Sequence, residues 1–159
     1  MSPNRRQLIE SVRVAIAEAE TENEILLEAA KLIDGFSENH NWTGFYMLRN
    51  GVLEVEAYVG PETQHARIDL NTGICGAAAS QKKTIIADDV RCDSRFLACS
   101  LSTRSEIVVP LMDGANCLGE IDIDSDCPGH FTAEDKEMLQ GIATTVVERL
   151  KAMGLLRNP

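Results

Sequence analysis

Asn50-Gly51 stands between two runs of strand-forming residues, Thr43 to Arg49 and Val52 to Val59. The dipeptide suits the two positive-φ positions of a type I′ turn, whose twist matches that of paired strands, so the runs are expected to close into an antiparallel hairpin. Leu53, Val55, Ala57 and Val59 alternate along the second run, the period-two pattern of a strand with one buried face. This hairpin is the firmest local constraint in the chain, and the remaining elements are read around it.

Before the hairpin the period changes to that of helices. Ser2-Pro3 has the form of an N-cap followed by a first-turn proline, and Leu8, Val12, Ala15, Ile16 and Ala19 recur at helical spacing. Thr21 to Glu24 has the form of a capping box, and Ile25, Leu26, Ala29, Ala30 and Ile33 carry a second stripe ending near Gly35 to Asn39. After the hairpin, the polar segment Gly60 to Ala66 leads through Ile68 and Leu70 to Gly73, and Gly76 to Gln81 reads as a short Ala-rich helix. Thr84 to Ala87 is a short strand, and Asp88 to Arg104 is a long loop with helical turns, of the length that in compact domains is often functional. Ser105 to Met112 and Asn116 to Asp124 are strands joined near Asp113-Gly114. Thr132 caps a final helix whose Met138, Leu139, Ile142, Ala143, Val146, Val147 and Leu150 form its apolar stripe.

Helices, a run of antiparallel strands and a last helix specify an α+β sandwich with the terminal helices on one sheet face. At 159 residues and 44% apolar content the chain suits one domain, residues 1–159, with one core. A leftover apolar stripe would pair with a second copy, so a homodimer is expected. Aromatics make up only 4%, so the cluster Trp42, Phe45 and Tyr46 is expected to line something.

A formal net charge of −10 opposes binding to nucleic acid or to an anionic membrane. No segment approaches the roughly 18 apolar residues of a membrane span, and no leader pattern follows Met1, so the expected location is the cytoplasm. Cys75, Cys92, Cys99, Cys117 and Cys127 are an odd number in a chain that needs no staples, which points to thiols with at most a transient catalytic disulfide. Cys127 and His130 have no second pair of ligands in sequence, so no metal site is expected.

Chemistry is expected where thiols meet acids. Cys75 enters a short helix, where the dipole and free amides favour a thiolate; a small packing residue between two glycines is the alternative. Cys99 lies in the long loop, either exposed and reactive or buried and structural. Glu106 interrupts the apolar run Ile107-Val108-Val109, where an unpaired acid costs several kcal/mol or stays protonated. Glu120, Asp122 and Asp124 share one strand face at roughly 6.5–7 Å spacing. Such acids would bind an ammonium group, and one kept protonated would donate to an oxygen. A solvated outer face is the other reading, and it suits Glu120 better than the other three.

Trp42-Thr43-Gly44-Phe45-Tyr46, Gly73-Ile74-Cys75-Gly76-Ala77-Ala78, Asp89-Val90, Leu97-Ala98-Cys99, Ser105 to Pro110 and Asp122-Ile123-Asp124-Ser125 together resemble the GAF-domain free methionine-(R)-sulfoxide reductases. The resemblance runs from about Trp42 to the final helix. It implies a GAF-like antiparallel sheet with the N- and C-terminal helices on one face and loops or short helices covering a pocket on the other. It further implies that Cys99 attacks the sulfoxide sulfur and is left as a sulfenic acid. Glu106, Asp122 and Asp124 would hold the substrate and supply its proton, and Trp42 and Tyr46 would wall its methyl end. No bound cofactor is implied, only an external thiol reductant, thioredoxin or a small thiol. The chain departs from the family where His65 stands at the position of the usual resolving cysteine. Cys75, Cys92 or an external thiol would then resolve the sulfenic acid. A noncatalytic small-molecule-binding or redox-sensing GAF module is the competing class, because fold alone does not decide function.

Overall fold

The structure, a computed structural model, describes residues 1–97 and 101–156. Cys99, the sequence candidate for the nucleophile, lies outside the described residues. The first helices are α1 (Pro3–Ala17) and α2 (Glu22–Asp34). The hairpin follows as β1 (Trp42–Arg49) and β2 (Val52–Val59), then β3 (Arg67–Asp69) and α3 (Gly73–Gln81). After β4 (Ile85–Ala87) and a 3₁₀ turn at Val90–Cys92 come β5 (Ser105–Asp113), β6 (Asn116–Ser125) and α4 (Ala133–Ala152). Asn50 and Gly51 take the positive φ values that the turn requires, 53° and 77°.

The described strands form one antiparallel sheet in the order β3-β2-β1-β6-β5-β4. Two sequence-local hairpins, β1-β2 and β5-β6, are zipped together through β1 and β6, which places Trp42 opposite Asp124, Gly44 opposite Asp122 and Tyr46 opposite Glu120. The β5-β6 register sets Glu106 opposite Asp124. Two hairpins far apart in sequence thereby bring Trp42, Tyr46 and the acids to the centre of one sheet, whereas Phe45, expected to join them, alternates onto the opposite face and into the main core.

Helices α2 and α4 pack on one face of the sheet, and α1 lies against both of them. Phe45, Met47, Ile107, Val109, Ile121 and Ile123 point into this main core. Arg5 on α1 donates to Asp135 Oδ1 at 2.7 Å, and Asp135 completes the capping box with Thr132 that starts α4. Thr21 caps α2 by accepting from the Glu24 amide, while the Glu24 carboxylate accepts from the Glu20 amide, one residue earlier than a capping box requires. Ser2 makes no side-chain bond to the α1 amides and instead accepts from Arg5. No helix among the described residues is long and apolar enough to cross a membrane.

The opposite face carries a smaller apolar cluster that includes Trp42, Tyr46, Leu53, Ile74, Cys75 and Val108. It is covered by α3, which crosses from the β3 edge of the sheet to the β4 edge. The expectation that Leu53, Val55, Ala57 and Val59 share a face does not hold. Phe45 pairs with Ala57 but Tyr46 pairs with Val55, so Glu56 is an extra residue in β2. This bulge flips every side chain beyond it: Leu53 and Val55 sit in the smaller cluster, whereas Ala57 and Val59 join the main core. Asn23 on α2 donates to the carbonyl of Glu56 at 2.9 Å, satisfying a group that the bulge takes out of the ladder.

Candidate active site

The bulge has a direct consequence for the site, because it turns Tyr58 onto the same face as Trp42. The two rings stack with centroids 5.6 Å apart and planes 18° from parallel, and Tyr46 flanks Trp42 at 6.0 Å. The indole lies across Gly44: a Cβ at that position would fall 2.3 Å from Trp42 Cη2. A side chain there would expel the ring, so Gly44 is part of how Trp42 is placed. Trp42 Nε1 donates to the Pro61 carbonyl at 3.1 Å, and the Tyr46 hydroxyl donates to the His65 carbonyl at 2.9 Å. The segment 61–65 is thus pinned over the aromatic cluster, and His65 touches the site through its backbone.

All four strand acids are buried. Glu106, Asp122 and Asp124 have little exposure and Glu120 has none, which overturns the expectation of a solvated Glu120. Alternation showed that Glu120 shares a face with Asp122, but that face is roofed by α3. Both Glu120 carboxyl oxygens, Asp122 Oδ1 and Asp124 Oδ1 have no hydrogen-bond partner among the described residues. Burial raises the pKa of Glu120 and of Asp124 well above the carboxylate range, and Asp122 adds repulsion to each. Asp122 is raised by burial too, and contacts with Glu106 and Cys75 partly offset that. Several carboxyls in one water-poor space cannot all carry charge, so protons are retained here at neutral pH.

Cys75 Sγ lies 3.9 Å from Glu106 Oε1. Its pKa stands well above that of an ordinary thiol, first because it is buried and then because Asp122, Glu120 and Glu106 repel a thiolate. Of the two readings of Cys75, burial among acids favours a neutral packing thiol over a thiolate, because it opposes the dipole of a nine-residue helix. Among the other described cysteines Cys92 is exposed, Cys127 is half-buried, and Cys117 is buried and donates to the Gly119 carbonyl at 3.3 Å.

Two cavities adjoin the acids. The larger, about 210 Å³, is lined by Trp42, Thr63, Ser102, Thr103, Asp124 and Asp126 among others. The smaller, about 10 Å³, lies between Tyr46, Cys75, Leu97, Glu106 and Asp122. Sequence-predicted Trp42, Tyr46, Cys75, Glu106, Asp122 and Asp124 are thus brought together. Thr63, Ser102, Thr103 and Gly44 were not foreseen, because loop residues without periodicity and a strand glycine carry no local signal of what they will face.

The sequence profile of the GAF domain matches residues 7–150. A free methionine-R-sulfoxide reductase of Escherichia coli is 35% identical over 100 residues, 63% of this chain and 60% of that protein's own length. A type II free methionine-R-sulfoxide reductase from Thermoplasma acidophilum superposes with a TM-score of 0.77 at 34% identity, covering 92% of this chain and 96% of the other. The chain belongs to the GAF-domain family, in the group of free methionine-R-sulfoxide reductases. The Neisseria meningitidis enzyme of this group, solved in complex with its substrate, superposes with a TM-score of 0.89 at 28% identity, over 94% of this chain and 90% of that one. GAF membership accounts for the antiparallel sheet and for a covered pocket on the face opposite the main helices.

Proposed function

We propose that this chain reduces free methionine-(R)-sulfoxide to methionine, with Cys99 as the nucleophile and Glu106, Asp122 and Asp124 holding the substrate's ammonium group. The observation that carries this reading is buried Asp124 in the wall of a cavity of about 210 Å³, with Glu106 paired opposite it in the sheet and oxygens of Asp122 and Asp124 left without partners among the described residues. Such a deficit is filled by a cation carrying several N–H donors. The volume is below the roughly 300–1,000 Å³ of pockets for larger ligands, which favours a free amino acid. Trp42 supplies an apolar wall for the methyl end.

Cys99 is assigned through its motif, and its neighbours support the assignment: Leu97 lines the smaller cavity, and Ser102 and Thr103 line the larger one. The Cys99 thiol attacks the sulfoxide sulfur while a protonated carboxyl donates to the sulfoxide oxygen. Oxygen passes to the cysteine, leaving Cys99 as a sulfenic acid and releasing methionine. A second thiol then displaces that oxygen as water and forms a disulfide. With His65 in place of the usual resolving cysteine, Cys75, exposed Cys92 or an external thiol takes this step. Thioredoxin or a small thiol returns the enzyme to its reduced state, and no bound cofactor is required. Thiol chemistry of this kind suits a reducing compartment such as the cytoplasm. Residues 1–159 would act as one domain within a homodimer.

The ammonium assignment is tested with N-acetylated methionine-(R)-sulfoxide, which lacks the cation. Its kcat/KM should fall by about 100-fold or more relative to the free amino acid, and Asp124→Asn should mainly raise KM for the free substrate. Equal use of the acetylated compound would remove these acids from ammonium recognition.

A further inference from the structure

Cys75, Glu106 and Asp122 come from α3, β5 and β6, so their grouping is invisible in sequence spacing. All three are buried, and each offers one donor atom within 4.8 Å of the other two. Beside them lies a cavity of about 10 Å³, lined by these three residues together with Tyr46 and Leu97. That is room for one water-sized object. It has no room for a whole amino acid, only for a group the size of an ammonium or for a single ion. Asp122 Oδ1 and both oxygens of fully buried Glu120 have no partner among the described residues. Of these two acids only Asp122 lines the cavity, and a buried carboxyl oxygen without a partner needs either a proton or a cation.

We propose that Cys75, Glu106 and Asp122 form a binding site for a single borderline-soft divalent cation, of which Zn²⁺ is the type. One sulfur and two carboxylate oxygens suit zinc better than magnesium or calcium, which are held by oxygen alone. Around one zinc, with bonds near 2.3 Å to sulfur and 2.0–2.2 Å to oxygen, donors stand roughly 3.5 Å apart. The donors of the trio, within 4.8 Å of one another, draw closer by side-chain rotation to reach that spacing. Three protein ligands leave a fourth position for water. Binding replaces the Cys75 S–H bond with a sulfur–zinc bond, and the thiol proton, together with any proton that the Glu106 and Asp122 carboxyls hold, passes to solvent. The ion uses Glu106 and Asp122, so it excludes an ammonium group from them and withdraws Cys75 from disulfide formation. Zinc is therefore an inhibitor in this assignment. Cation binding itself does not rest on the reductase reading, and its readout is independent of turnover.

The test uses the full chain with Cys92, Cys99 and Cys127 changed to Ser, which leaves Cys75 and the buried Cys117. Zn²⁺ affinity and stoichiometry are measured by competition with a chromophoric chelator, and Co²⁺ is added in parallel to detect a sulfur-to-metal absorption band. One ion per chain is expected, with the band present. Cys75→Ser should abolish the band and weaken Zn²⁺ by about 100-fold, and Asp122→Asn should weaken it by at least about tenfold, with Trp42 emission unchanged as the check on folding. Undiminished binding in Cys75→Ser, or no binding tighter than millimolar in the parent, would overturn the assignment.

Discussion

At the scale of the residue, the acids of β6 separate what alternation can and cannot tell. The period of two put Glu120, Asp122 and Asp124 on one face, and the structure does so. Whether that face was wet depended on α3, which reaches it through contacts distant in sequence. Glu120 was consequently misjudged, and the same burial decides between the two readings left open for Cys75, against the thiolate. Both outcomes have testable consequences. Glu120 and Asp124 have pKa values raised by folding, so their contribution to stability is complete below the unfolded value near pH 4 and is lost as pH rises through the folded value. Glu120→Gln should therefore raise the unfolding midpoint at pH 8 by several degrees, at about 2–4 °C per kcal/mol, and change it little at pH 4. An equal effect at both pH values would mean that Glu120 is already charged in the folded chain. For Cys75, a thiolate scarce at neutral pH makes resolution slow there. If Cys75 resolves Cys99, disulfide formation after one turnover should accelerate by nearly tenfold per pH unit across the neutral range, and Cys75→Ser should abolish it while leaving the methionine burst. A disulfide that persists in Cys75→Ser and disappears in Cys92→Ser would transfer the role to Cys92.

At the scale of the element, the long strands and helices were legible because each carries a complete local signal. Asn50-Gly51 fixed the turn, Thr132 the start of α4, and the apolar stripe of α4 its buried face. Strand β3 went unread: it has three residues with only Ile68 buried, too few for a period to register. The bulge at Glu56 was equally hidden, since an extra residue in β2 is defined only by its partner β1. Yet the bulge decides that Tyr58 stacks on Trp42, and Gly44 leaves room for the indole. Gly44→Ala should displace the ring, costing about 1–3 kcal/mol as an overpacked contact and raising KM more than it lowers kcat. Trp42 is the chain's single tryptophan, so a shift in its emission would report the displacement directly. Unchanged emission and KM would separate Gly44 from the site.

At the scale of the whole molecule, two layers divide the labour. The helical layer buries most of the apolar stripe that the sequence displayed, and the other face is left for a pocket walled by aromatics and acids. Val14 on α1 remains 64% exposed, and a groove between α1 and α2 is lined by Leu8, Leu32 and Phe36. Homodimerisation would cover these residues, and light scattering at micromolar concentration should give twice the chain mass; a monomer would exclude the dimer. The fold class was readable from the order of elements, whereas the closeness of Cys75 to Glu106 was not, because it arises only when α3 crosses the finished sheet.

The central claim is reduction of a free amino acid by Cys99, and single turnover tests it most directly. The fully reduced chain, freed of excess reductant, is mixed with free methionine-(R)-sulfoxide, and released methionine is counted per chain. Release of about one equivalent, lost in Cys99→Ser and nearly absent with the (S) epimer, is the predicted result. No release from protein whose thiols are verified as reduced would contradict it and leave a GAF module that binds without reducing.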